Sequence, residues 1–243
     1  MALADHLTQR PAQTDVPINI TTRRPSGPQT AANRLEADLV TALSFSPYVL
    51  DIVTRPVLAE TIDGRDLVLV PAVLVHVYGS RTAPLYWFFD IDRAPGSDLT
   101  YAVVPAADRA AAAWRAKHAT THPFSADSRI ISEREIRTPY TENATRLIAR
   151  LRAYDDDDPA LAAAIQFVTD APRSVQELVS CLQEQGFSPD KARETVEIIA
   201  VNGFADCDFS QPFADATILS KPRRSFDPRP EHDPFFSQFA RVK

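Results

Sequence analysis

Apolar residues at Leu35, Leu39, Val40 and Leu43 follow one helical face and predict a helix over 30–43. After Pro47 the run Tyr48-Val49-Leu50-Asp51-Ile52-Val53 reads as extended chain, and Pro56 interrupts it. Alternating patterns predict strands over 57–61 and 66–77, joined by the two-residue hairpin signal Asp63-Gly64. Gly79 and Pro84 bound another turn, and a third strand is predicted over 85–91. Residues 98–104 read as a further strand or its approach, 108–118 as an alanine-rich helix, and 128–131 as a short buried strand. A charged turn over 132–137 follows, then a helix from near Thr141 with Leu147, Ile148 and Leu151 on one face. Strand and helix signals in alternation argue an α/β core.

The run Asp155-Asp156-Asp157-Asp158 ahead of Pro159 is the sharpest break, because four adjacent acids repel and proline bars a helix from crossing. Beyond it a helix is predicted over 160–167. A capping box of Ser174 and Glu177 opens a second over 175–185, ended by Gly186. Ser188 and Pro189 start a third that ends at Gly203, and strands are expected over 204–209 and 217–219. Helix, turn, helix and a two-stranded wing make a winged-helix pattern. The expected organisation is an arm over 1–28, an α/β domain over 29–154, the winged helix over 155–220 and a tail over 221–243.

The arm is polar and proline-punctuated, with too little apolar surface to order itself. Its Arg23 and Arg24 suit phosphate or an acidic partner. The tail sets Arg223, Arg224 and other cations among Phe226, Phe235, Phe236 and Phe239, the composition of a docking peptide or of a plain disordered end. A net charge of −6 argues against generic polyanion binding, so any DNA contact must be local or shared with a partner. Cys181 and Cys207 lack metal-ligand spacing and read as thiols of a reducing compartment. With no basic segment leading an apolar run, and no stretch near the ~18 residues of a membrane span, the expectation is a cytoplasmic protein.

The order of these pieces resembles TnsA, the endonuclease subunit of heteromeric transposases in the PD-(D/E)xK superfamily. The likeness rests on Arg34-Leu35-Glu36, on the stretch from Phe45 to Ile52 leading into Arg55-Pro56, on Val70-Pro71-Ala72-Val73, and on Phe89-Asp90-Ile91-Asp92. The segments from Ile131 to Arg137 and Glu142-Asn143-Ala144, and the winged helix behind them, continue it over residues 25–219. The resemblance implies a restriction-endonuclease-like mixed sheet with flanking helices, and one-strand DNA cleavage with Mg2+ or Mn2+ beside a partner transposase. It matches Glu36 to the helix acid and Asp90 to the residue before the catalytic lysine. Ala72 stands where the metal-bridging aspartate belongs, and Asp92 where the lysine belongs.

A hard cation needs carboxylate and water oxygens, and the lysine supplies positive charge beside the attacking water. Ala72 removes one ligand and Asp92 reverses one charge. The expectation is a transposition subunit with a degraded metal site, working through DNA-end positioning and partner binding. Two alternatives stay open: an active endonuclease whose metal is held by Glu36, Asp90 and Asp92, and a non-enzymatic assembly protein reusing the nuclease fold. Asp66, six positions before Ala72, is too far along an extended strand to substitute. His118 and His122 have i, i+4 spacing in a loop context, and His76 reads as a strand histidine. In the third helix of the winged pattern Lys191 and Arg193 are the cations for DNA or partner contact. Asp190, Glu194 and Glu197 dilute them.

Overall fold

The computed structural model describes residues 8–9, 18–20, 26–62, 65–77, 85–92, 108–112, 125–151, 153–222 and 235. The expected strand over 98–104, His118, His122, Arg23, Arg24, Arg223 and Arg224 lie outside them. Contacts divide the chain into one unit of residues 1–141 with 228–243, and a second of residues 142–227.

In the first unit α1 (Arg34–Phe45) opens on Asn33, whose side-chain oxygen accepts from the Glu36 amide at 2.9 Å. Such a cap contributes about 1 kcal/mol. The stripe read from the sequence is buried: Leu39, Val40 and Leu43 are fully covered. The helix packs on α2 (Glu133–Ile136), β4 (Val49–Thr54) and a hairpin of β2 (Ile18–Ile20) and β3 (Gln29–Ala31). Gln29 joins that hairpin to β4, its Oε1 accepting from the Thr54 amide at 2.9 Å.

The central sheet has the order β4, β7 (Val73–Val77), β8 (Leu85–Asp92), β9 (Ser125–Ser132). The first two pairings are antiparallel and the last is parallel, with Asp90 opposite Ile130. A parallel return needs a crossover, and residues 108–112 are helical between β8 and β9. Their Ala110 and Ala111 pack against Val53, Leu74, Phe88 and Ala126 of the sheet. The fold is mixed α/β.

Four features differ from the sequence reading. The strand expected over 66–77 is two strands, β6 (Arg65–Leu69) and β7, and they belong to different sheets. Pro71 lies between them, where it has no amide to donate to a ladder. β6 pairs with β5 (Pro56–Ile62), which also takes β1 (Thr8–Gln9) from the segment read as an arm. Residues 132–137, read as a turn, contain the helix α2, opened by a reciprocal capping box between Ser132 and Glu135. Phe235 of the tail is buried in the first unit, 5.8 Å from the ring of Tyr140, which in turn meets Phe45 edge-on at 5.6 Å.

The second unit carries most of α3 (Pro139–Leu147), a 3-10 turn over Ile148–Arg150, α4 (Pro159–Asp170), α5 (Val175–Glu184) and α6 (Pro189–Val201). Asp158 caps α4 through the Ala160 amide, and the predicted capping box of Ser174 and Glu177 opens α5. Between α4 and α5 runs β10 (Arg173–Ser174), which pairs antiparallel with β11 (Ile218–Leu219); Asp206 and Ser220 form a further bridge. The strand expected over 204–209 is reduced to that bridge among the described residues. Gly186 and Gly203 have φ of 94° and 78°, the left-handed geometry their sequence positions anticipate.

Candidate functional site

The sheet brings Ala72 and Asp90 together at the start of β7. Ala72 precedes the first residue of that strand, and its amide donates to Asp90 Oδ1 on β8 at 3.1 Å. On the other side, the carbonyl of Ala72 accepts from the Arg55 amide at 2.9 Å. Arg55, Ala72 and Asp90 therefore form one row across three strands, at the end of the β4–β7–β8 ladders. Arg55 connects β4 to β5 with φ at +50°, the left-handed region that a branched or long side chain enters at a cost. It is the one non-glycine residue with positive φ among those described.

Glu36 is buried at the first turn of α1, with Oε2 accepting from the Ala32 amide at 3.1 Å. One oxygen each of Glu36 and Asp90 is thus engaged by a backbone amide. Asp92 lies two residues beyond Asp90 on β8; its side chain is not among those described. Among the described residues no three His, Cys, Asp or Glu side chains gather to hold a metal. With no carboxylate at Ala72, the described donor set does not fit a hard divalent cation, which wants several oxygens at once.

A second polar row crosses the same sheet. Asp51 is buried and accepts from the Ser26 amide and hydroxyl at 2.9 and 2.7 Å. It pairs in register with His76, and His76 pairs with Tyr86, their rings stacked at 4.9 Å. Burial holds the His76 pKa below its ordinary value, against an upward pull from the Asp51 charge. The row anchors Ser26, just ahead of β3, to β4.

In the second unit Asn143, noted in the sequence only as part of a matching segment, is the organising polar residue. It is 4% exposed; its Nδ2 donates to the carbonyls of Phe209 and Gln211 at 3.0 and 2.8 Å, and its Oδ1 accepts from the Phe213 amide at 2.9 Å. Arg146 donates to the Phe213 carbonyl and lies over its ring. One helical face thereby clamps the loop ahead of β11. Arg150 reaches α6, donating to Glu194 and Glu197 at 2.7 and 3.1 Å.

The two cations expected to contact DNA or a partner are already paired. Lys191 binds Asp158, and Arg193 binds Asp215 and Glu197. Residues 155–220 hold 13 acids against Arg173, Lys191 and Arg193, and Arg173 stacks over Phe167. This helix is therefore poorly charged for approach to a phosphate backbone. Cys207 is half-buried, and the loss of water around it, helped by the charges of Asp206 and Asp208, pushes its thiol up to about 12 and keeps it protonated. Cys181 and Cys207 are both free thiols.

The fold is thus that of a mixed α/β protein with a separate helical unit, and among the described residues no helix is long and apolar enough to cross a membrane. No family model matches the chain. Among curated proteins it is similar to the Regulatory protein RecX of Lactobacillus johnsonii, with 29% identity over 93 residues. That stretch is 38% of this chain and 34% of the relative, so the chain spans about a third of the length of the protein it matches.

Proposed function

We propose that this chain is a TnsA-like transposition subunit with a degraded metal site, holding DNA ends and a partner protein with little or no strand cleavage. The observation that carries the reading is the hydrogen bond between Ala72 and Asp90. It puts an alanine and an acid side by side at a strand start, which supports reading Ala72 as the position of the metal-bridging acid of a PD-(D/E)xK nuclease. The topology supports it: helix α1, an antiparallel meander β4–β7–β8, helical residues 108–112, and β9 returning parallel to β8. That sequence of elements suits a restriction-endonuclease-like sheet.

The second unit supports a winged-helix reading through its order of α4, β10, α5, α6 and β11, with β10 paired to β11. The paired state of Lys191 and Arg193 favours a protein-contact role for that unit over base readout.

The test is a nicking assay on duplex carrying a transposon end, with Mg2+ or Mn2+, with and without a candidate partner transposase. The expected result is complex formation without nicking. Metal-dependent nicking abolished by Asp90→Asn would replace this reading with the active endonuclease. Failure to bind either DNA or the transposase would remove it altogether.

A further inference from the structure

The paired strands β10 and β11 of the second unit expose an apolar residue on a strongly acidic surface. They place Ser174 opposite Ile218 and Arg173 opposite Leu219. Leu219 is fully buried, so by the alternation of a strand Ile218 points outward, on the side of Ser174. Ile218 is 56% exposed, the most of any large apolar side chain among the described residues. Carboxylates rim it. Glu177 folds back on Ser174, whose hydroxyl donates to its Oε2 at 3.0 Å. Asp215 is held at the same end of α5, its carbonyl accepting from the Gln176 amide at 3.0 Å, and its side chain is 66% exposed. Residues 155–220 hold 13 acids against Arg173, Lys191 and Arg193, and each of those cations is engaged inside the unit. Lys221 follows β11 by two positions, with Asp206 bridged to the intervening Ser220.

We infer that the outer face of β10–β11 docks a cationic, aliphatic-bearing segment of a protein partner, with Ile218 as the apolar anchor and Glu177 and Asp215 as the charged rim. This rests on the partner-binding half of the proposed function and gives that partner a chemistry. Charge decides among the occupants. A nucleic acid or an anionic membrane brings phosphates against these carboxylates, and a second copy of the unit brings acids against acids, so both meet repulsion. A lysine- or arginine-bearing segment meets attraction instead. The stems of those side chains are apolar, so one segment covers Ile218 while its charged heads reach Glu177 and Asp215.

The test uses the full chain, Ile218→Ser, and the double variant Glu177→Gln with Asp215→Asn. Ile218 and Asp215 are exposed, and glutamine retains the bonds of position 177 to Ser174, so no packing is lost; melting temperatures check this. The probes are two fluorescent octapeptides of equal charge, lysine alternating with valine and lysine alternating with serine, read by anisotropy across a salt series. The parent is expected to bind the valine peptide more tightly than the serine peptide. Ile218→Ser should weaken the valine peptide about tenfold, the worth of covering most of an isoleucine, and leave the serine peptide unchanged. The double variant should weaken both peptides and flatten their salt dependence. Equal affinity of the parent for the two peptides, or a variant that matches the parent, overturns the inference. Duplex DNA affinity that falls with Ile218→Ser overturns it too. A partner transposase that binds the parent and Ile218→Ser alike overturns the inference but leaves the proposed function. Peptide binding as expected, with no transposase binding, upholds this surface and removes the proposed partner.

Discussion

The amide of Ala72 donates to Oδ1 of Asp90 at 3.1 Å, across the antiparallel pair β7–β8. One carboxylate therefore stands beside a methyl group at the start of β7. A carboxylate restored at position 72 would share a cation with Asp90 and, without the cation, would repel it.

Ala72→Asp is accordingly expected to tighten Mn2+ binding about tenfold, one ligand's worth, and to lower the melting temperature in chelator. Isothermal titration and thermal denaturation with and without Mn2+ check both signs. A variant that binds Mn2+ no better than the parent would place position 72 away from any cation path.

Asn143→Ala removes three hydrogen bonds, to the carbonyls of Phe209 and Gln211 and from the Phe213 amide. The expected cost is roughly 2–4 kcal/mol, read by denaturant unfolding. Amide exchange at Phe213 should accelerate well beyond that of α5, because the clamp is local.

Lys191→Ala and Arg193→Ala break ion pairs with Asp158 and Asp215. Both are expected to leave DNA affinity and its salt slope nearly unchanged, since these cations are already neutralised. A slope reduced by about 1 in either variant would mark a phosphate contact.

Burial depresses the His76 pKa below 6.5, so the unfolded chain binds the extra proton more readily. The stability contribution is complete above pH 6.5 and is lost as pH falls through that value toward the folded pKa. Melting curves of the parent and His76→Gln between neutral and mildly acidic pH check this. The parent should lose more stability on acidification than the variant.

Phe235→Ala empties a site against Tyr140 in the first unit and is expected to cost about 3–5 kcal/mol. Thermal unfolding of the full chain measures it. A neutral effect would return the tail to the role of a free docking peptide.

Much of the local architecture was legible in the chain. The stripe Leu35, Leu39, Val40 and Leu43 marked α1, and the Ser174–Glu177 and Ser188–Pro189 signals marked the starts of α5 and α6. The same kind of signal, Ser132 followed by Glu135, stood in the segment read as a turn and could have revealed α2. Such features need only neighbours three or four positions apart, so spacing reports them.

The sequence by itself determined most of the helices, the run of strands, and which residue types stand at positions 36, 72, 90 and 92, because these depend on local periodicity and identity. Only the tertiary structure decided that the segment around Pro71 feeds two different sheets. It also decided that Asn143 closes on residues 66 to 70 positions away, and that Phe235 returns to Tyr140. It set Arg55 level with Ala72 and Asp90, and it spent Lys191 and Arg193 on internal acids. These outcomes arise from long-range pairing and burial, where the partner of each polar group is chosen by the packed fold rather than by distance along the chain.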